Sequence, residues 1–108
     1  MYPYITEKPT TFTVKLHDTE CAENEPVSFV AELNQKVPLQ SVKWTHNGEE
    51  ISPSNKDYSV TMDGKKCVLK IYNATLTNSG QYSISVQGVT SDASLNVKGL
   101  YNSVISLL

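Results

Sequence analysis

The chain has 108 residues, with nine basic against eleven acidic side chains and a formal net charge of -2. That length suits one domain with a real core. The ordinary apolar content, with only five Gly and five Pro, argues against a disordered or low-complexity chain.

Period-two alternation in short runs dominates the chain. TFTVKL sets Phe12, Val14 and Leu16 on one face, and VSFVAEL does so with Val27, Phe29, Ala31 and Leu33. SVKWTH offers Val42 and Trp44, after which Asn47-Gly48 marks a tight hairpin. YSVTM places Tyr58, Val60 and Met62 together and runs into a second tight turn at Asp63-Gly64. CVLKIY turns Cys67, Leu69 and Ile71 inward, and QYSISV does the same with Tyr82, Ile84 and Val86. SLNV follows the turn at Gly88. No helical stripe of useful length precedes residue 99. Seven or eight antiparallel strands with turns every eight to twelve residues predict an all-β, two-sheet sandwich.

All nine basic residues are Lys, so the planar fork that grips phosphates and guanine edges is missing, and no basic stripe interleaves with aromatics. Both features point away from nucleic acid. No apolar run reaches the roughly 20 residues of a membrane helix, and the N-terminus lacks the charged-then-apolar order of a signal peptide. The expectation is therefore a chain with neither nucleic-acid nor membrane partners.

No catalytic, cofactor or metal constellation emerges. His17 follows a strand and His46 opens a hairpin, and both read as exposed turn-flanking residues. Two His and two Cys are scattered rather than set at zinc-site spacing. Gly64, Gly80 and Gly88 read as turn glycines, not as a phosphate loop.

A single Trp on the third main strand, followed by LKIYNATLTNSGQY with its L-x-I…G-x-Y spacing, resembles the immunoglobulin fold over residues 9–98. VKWTHNGEEI, DGKKCVLKIYNATLTNSGQY and SDASLNVKG are similar to their counterparts in the I-set domains of giant sarcomeric muscle proteins. Titin is the nearest likeness, with obscurin and the myosin-binding proteins next. The resemblance implies a core built on Phe29, Ala31, Trp44, Leu69, Ile71, Tyr82 and Ile84. The inter-sheet disulfide of such domains would fall at Ala31 and Ile84, so here packing against Trp44 replaces it. Tyr82 takes the place of the family's tyrosine corner; the Asp usual four residues earlier is Asn78.

Dispensing with that bridge suits a reducing compartment. Cys21 and Cys67 then read as free, buried thiols, the rival being a non-standard bridge between them. Asn73-Ala74-Thr75 matches the glycosylation sequon, read either as accidental or as a mark of an extracellular domain. The resemblance also implies termini at opposite poles, so that tension shears residues 14–21 against 91–97. Lys36, Lys65 and Lys66 would fall at one pole and Glu23, Glu25, Glu49 and Glu50 at the other.

The implied organisation is a linker over 1–8, the domain over 9–98 and an apolar tail over 99–108. Tyr101, Val104, Ile105 and Leu108 in the tail have helical spacing, which reads either as a docking face or as part of an unstructured linker. The expected role is a non-catalytic mechanical and interaction module of a cytoplasmic sarcomeric protein. Its partners would be neighbouring immunoglobulin or fibronectin-type domains and other sarcomeric proteins. The alternatives are an extracellular adhesion or receptor domain and an immunoglobulin module flanking a muscle kinase.

Overall fold

A computed structural model describes residues 9–99. In chain order its strands are β1 (Phe12–Val14), β2 (Thr19–Ala22), β3 (Val27–Leu33), β4 (Val42–His46), β5 (Glu49–Glu50), β6 (Tyr58–Asp63), β7 (Lys66–Ile71), β8 (Gly80–Val86) and β9 (Val89–Lys98). They form a four-stranded sheet in the order β1-β3-β7-β6 and a five-stranded sheet in the order β2-β9-β8-β4-β5. The chain is the all-β sandwich that its alternation predicts, with one departure. Every pairing is antiparallel except β2 with β9, which run parallel.

The core follows from side chains pointing alternately to the two faces of each strand. β3 buries Phe29, Ala31 and Leu33, and β7 buries Cys67, Leu69 and Ile71. Facing them, β4 buries Val42 and Trp44, β8 buries Tyr82, Ile84 and Val86, and β9 buries Ala93, Leu95 and Val97. Each large apolar side chain removed from water contributes about 1.5–3 kcal/mol. Ala31 and Ile84 are both 0% exposed, so the positions of the missing bridge are dry and filled. Ala31 lies opposite Cys67, and Ile84 lies opposite Trp44.

Three two-residue turns hold the register. Asn47-Gly48 and Gln87-Gly88 both place two successive residues at positive φ (52° and 89°, 48° and 90°), as right-twisted hairpins require. The β6–β7 turn centres on Gly64-Lys65 rather than Asp63-Gly64, because Asp63 already pairs with Lys66.

The first strand is where alternation misleads. The register shifts between Phe12 and Val14. Val14 is 41% exposed, not inward, whereas Leu16 is buried. Beyond that shift the chain leaves β3 and joins the other sheet as β2. Where it crosses, the Leu16 N–H donates to Ser91 Oγ at 3.0 Å, which satisfies a buried hydroxyl and a buried amide together. One period of two cannot serve two sheets at once.

The tyrosine corner is formed. The Tyr82 hydroxyl donates to the Asn78 carbonyl at 2.6 Å. Asn78 Oδ1 accepts the Thr75 N–H at 2.8 Å, and Asn78 Nδ2 donates to the Tyr58 hydroxyl at 3.2 Å. An amide thus uses both of its ends where a carboxylate could only accept. Tyr82→Phe is expected to destabilise the domain by about 1–2 kcal/mol; a thermal melt of the variant against the parent chain checks this.

Candidate functional site: the terminal ladder and the two poles

The entering chain is pinned at one pole. Asn34 Nδ2 donates to the Pro9 carbonyl at 2.9 Å, and Asn34 Oδ1 accepts the Thr11 N–H at 3.1 Å. The buried Thr10 hydroxyl donates to Gln87 Oε1 in the β8–β9 turn. β9 ends at Lys98 at the opposite pole, where the Glu23 N–H donates to the Lys98 carbonyl at 2.9 Å. The β2–β3 turn and the β7–β8 connection meet there through Asn24 N–H to Ala74 O (2.7 Å) and Ala74 N–H to Glu25 O (3.0 Å).

Between these poles β2 and β9 lie side by side, in register Thr19–Leu95, Glu20–Asn96, Cys21–Val97 and Ala22–Lys98. Asp18 Oδ1 accepts the Ser94 N–H at 2.9 Å just ahead of the ladder. Lys98 and Glu20 form an exposed ion pair at 3.1 Å. The ladder is shorter than residues 14–21 against 91–97, because residues 12–14 pair with β3 instead. Its geometry is nevertheless that of shear: a force drawing Pro9 and Lys98 apart acts along both strands, so several bonds strain together.

The charge separation between poles is weaker than the sequence suggests. In the strand register Lys66 lies opposite Glu32 on β3 and Asp63 on β6, so acidic residues flank it at that pole.

The immunoglobulin I-set domain profile matches residues 10–98. The chain belongs to the immunoglobulin I-set family. Human slow-type myosin-binding protein C is 36% identical to this I-set chain over 95 residues, covering 87% of the chain and 8% of that protein. Titin of Drosophila melanogaster is 35% identical over 94 residues, again 87% of the chain, and a share of titin that rounds to 0%. Among solved structures, an I9–I11 tandem from titin superposes with a TM-score of 0.80 at 26% identity, covering 87% of this chain and 35% of that one. The I-set chain therefore spans less than a tenth of either curated relative.

Within this I-set frame the singled-out residues are widely dispersed. Cys67 lies fully buried on β7, and Cys21 is only half-buried on β2, at the edge of the other sheet. The two sulfurs are not bonded to each other. Cys21 is less buried than expected because β2 has a neighbour on one side only. Asn73 is exposed in the bend after β7. Tyr101, Val104, Ile105 and Leu108 lie outside the described residues, as do residues 1–8.

His17 is exposed, but His46 is not the free turn residue expected. Its ring stacks on Tyr82 at 4.4 Å between centroids, and its Nε2–H donates to the Ser79 carbonyl at 3.1 Å. The Asn-Gly signal marks Asn47 only as a hairpin residue. Its Oδ1 also accepts the Gln81 N–H at 2.9 Å, a role that the Asn-Gly signal alone does not announce.

Chemically these arrangements can hold and pack. A groove of about 360 Å³ opens beside β5 and β6, with Leu39, Val42, Pro53 and Val60 in its lining and Lys43 and Glu50 as its charged members. No group of three or more metal-binding side chains converges among the described residues.

Burial raises the thiol pKa of Cys67, and burial followed by the nearby Glu25 charge raises that of Cys21. Burial first, then Tyr58, pushes the Tyr82 phenol far up. Acids whose pKa rises on folding leave stability intact below their unfolded values and remove it as pH climbs toward the folded ones. Stability is therefore expected to fall as pH passes the ordinary thiol value of 9.0. The fall should be smaller in Cys67→Ala relative to its own neutral-pH stability. Denaturant titrations at stepped alkaline pH check the sign.

Proposed function

We propose that this I-set domain is a non-catalytic structural link in a longer, titin-like sarcomeric chain, working in the reducing cytoplasm. The observation that carries the reading is the parallel β2–β9 ladder, with the chain entering at one pole and leaving at the other. Such a ladder resists tension by loading its bonds together rather than one at a time. Residues 9–98 are the mechanical unit, and 1–8 and 99–108 lead to neighbouring immunoglobulin or fibronectin-type domains. Other sarcomeric proteins dock on exposed sheet edges or on the tail residues Tyr101, Val104, Ile105 and Leu108. Cys21 and Cys67 work as free thiols that fill space. The family match and the muscle proteins among the relatives support this role.

The test is single-molecule stretching of the full chain between its ends. The Ala22 N–H turns to Glu25 Oε1 and the Glu23 N–H to the Lys98 carbonyl, so alternation sets the Cys21 N–H on the β9 side. Cys21→Pro removes that ladder donor and is expected to lower the unfolding force clearly, at an equilibrium cost of about 1 kcal/mol or more. Glu20→Pro puts its ring on the solvent side of an edge strand, where Pro is tolerated, and should leave the force nearly unchanged. Equal forces for both variants would remove the ladder from the mechanism.

The exposed Asn73 sequon favours a second reading, an extracellular adhesion domain. Peptide mapping of the chain from its native tissue decides between them. A glycan on Asn73 supports the extracellular reading, and an unmodified Asn73 with two free thiols supports the sarcomeric one.

A further inference from the structure

Asn47-Gly48 is the single Asn-Gly step in the sequence, although the chain carries eight Asn. In a free peptide this step is the most prone to self-modification, because Gly leaves its own amide nitrogen unhindered. Three features of the fold bear on it. The Asn47 Oδ1 accepts the Gln81 N–H at 2.9 Å, and the Asn47 N–H donates to the Gln81 carbonyl at 2.7 Å. Asn47 Cγ lies so close to Gly80 that a Cβ placed there would come within 2.9 Å of it. Both residues of the turn are held at positive φ.

We infer that Asn47 is a modification site that the fold keeps closed: it deamidates when the domain is unfolded and is protected when the domain is folded. The reaction is intramolecular. The Gly48 amide nitrogen attacks Asn47 Cγ and forms a new C–N bond. The Cγ–Nδ2 bond breaks, and ammonia leaves with the proton given up by Gly48. Water then opens the five-membered imide at one of its two carbonyls, leaving aspartate or isoaspartate at position 47. Attack requires the side chain to swing from β8 back toward its own backbone, which breaks the bond to Gln81. While that bond stands, Oδ1 stays on the Gln81 N–H and Cγ stays beside Gly80.

The two products have different fates. Aspartate keeps an oxygen for the Gln81 N–H. Isoaspartate routes the main chain through the side-chain carbon, adds a methylene to a two-residue turn and turns the oxygen that accepted from Gln81 into a main-chain carbonyl, away from its place against β8. A chain carrying it no longer fits the β4–β5 hairpin against β8. If the domain works under tension, which rests on the mechanical reading, position 47 records how long it has spent unfolded. The chemistry itself needs only folding and unfolding.

The experiment incubates the full chain at neutral pH and body temperature, native in one arm and in urea in the other. A peptide covering residues 45–50 in both solvents serves as the chemical reference. Peptide mapping by mass spectrometry then reads Asp and isoaspartate at position 47. The expected result is deamidation about tenfold or more slower in the native chain than in urea, with the urea arm matching the peptide. Gly80→Ala, where it still folds, should speed the native reaction, because the new Cβ displaces Asn47. After urea is removed, the isoaspartyl fraction should fail to regain native Trp44 fluorescence while the unmodified fraction regains it. Equal rates in the native and urea arms would overturn the inference, as would full refolding of the isoaspartyl chain. A mechanical role could fail independently, in the stretching experiment, without touching either rate.

Discussion

Trp44→Ala is expected to lower the free energy of unfolding by about 3–5 kcal/mol. Trp44 is 1% exposed at the centre of β4, directly across from Ile84, and shares the core with Ala31, Leu69 and Tyr82. In a sandwich without an inter-sheet bridge, only the connecting loops join the two sheets covalently, and no cross-link holds them together at the centre once this side chain is gone. Domains of this size hold only about 5–15 kcal/mol in total, so the variant would sit near its midpoint in mild denaturant. Trp44→Phe provides the contrast. Trp44 Nε1 makes no hydrogen bond with the described residues, so losing that N–H forfeits no bond. The cost is then one of volume and shape, about 1–3 kcal/mol. Urea denaturation followed by circular dichroism gives both numbers without depending on the fluorophore removed. A cost below about 1 kcal/mol for Trp44→Ala would mean that the sheets are held elsewhere.

Gly80→Ala is expected to cost about 2–4 kcal/mol, far more than a methyl group at a strand end would suggest. Gly80 opens β8 at φ 139°, a conformation that L side chains rarely adopt. A Cβ there would stand 2.5 Å from Asn47 Oδ1, so Asn47 must move and release the Gln81 N–H. The two causes can be separated. In an Asn47→Gly background the collision is gone and the backbone strain remains, so Gly80→Ala should cost about 1 kcal/mol less there. Chemical denaturation of the four chains in that cycle measures the coupling. Strict additivity would show that Gly80 and Asn47 do not depend on each other.

Much of the fold is legible in the order of residues. Phe29, Ala31, Leu33, Trp44, Leu69, Ile71, Tyr82 and Ile84 follow their alternation into the core. Alternation works there because each strand has a neighbour on both sides and one buried face. It fails over residues 12–22, where one stretch of chain serves two sheets in turn and Val14 is left facing outward. Period two says which face a residue takes but not which strand lies beside it, so the parallel pairing of β2 with β9 leaves no local trace. The shearing ladder, expected over residues 14–21 against 91–97, accordingly runs later and shorter, over 19–22 against 95–98. Side-chain bonds between distant segments were equally hidden. The His46 stack on Tyr82, the Asn34 clasp on residues 9–11 and the Asn47 contact with Gln81 each join positions at least 23 residues apart. The tyrosine corner is legible through the resemblance of the stretch before Tyr82 to the family pattern, and its bond joins positions only four apart, Asn78 and Tyr82.

The sheet edges differ in how much they offer to a stranger. Three edge strands are short: β1 has three residues, β2 four and β5 two. A second copy meeting any of them finds too few free backbone groups to extend the sheet. β6, with six residues, is the exception. Where many similar domains refold beside one another, mispairing between neighbours therefore has one favoured starting line, and it runs along Tyr58–Asp63.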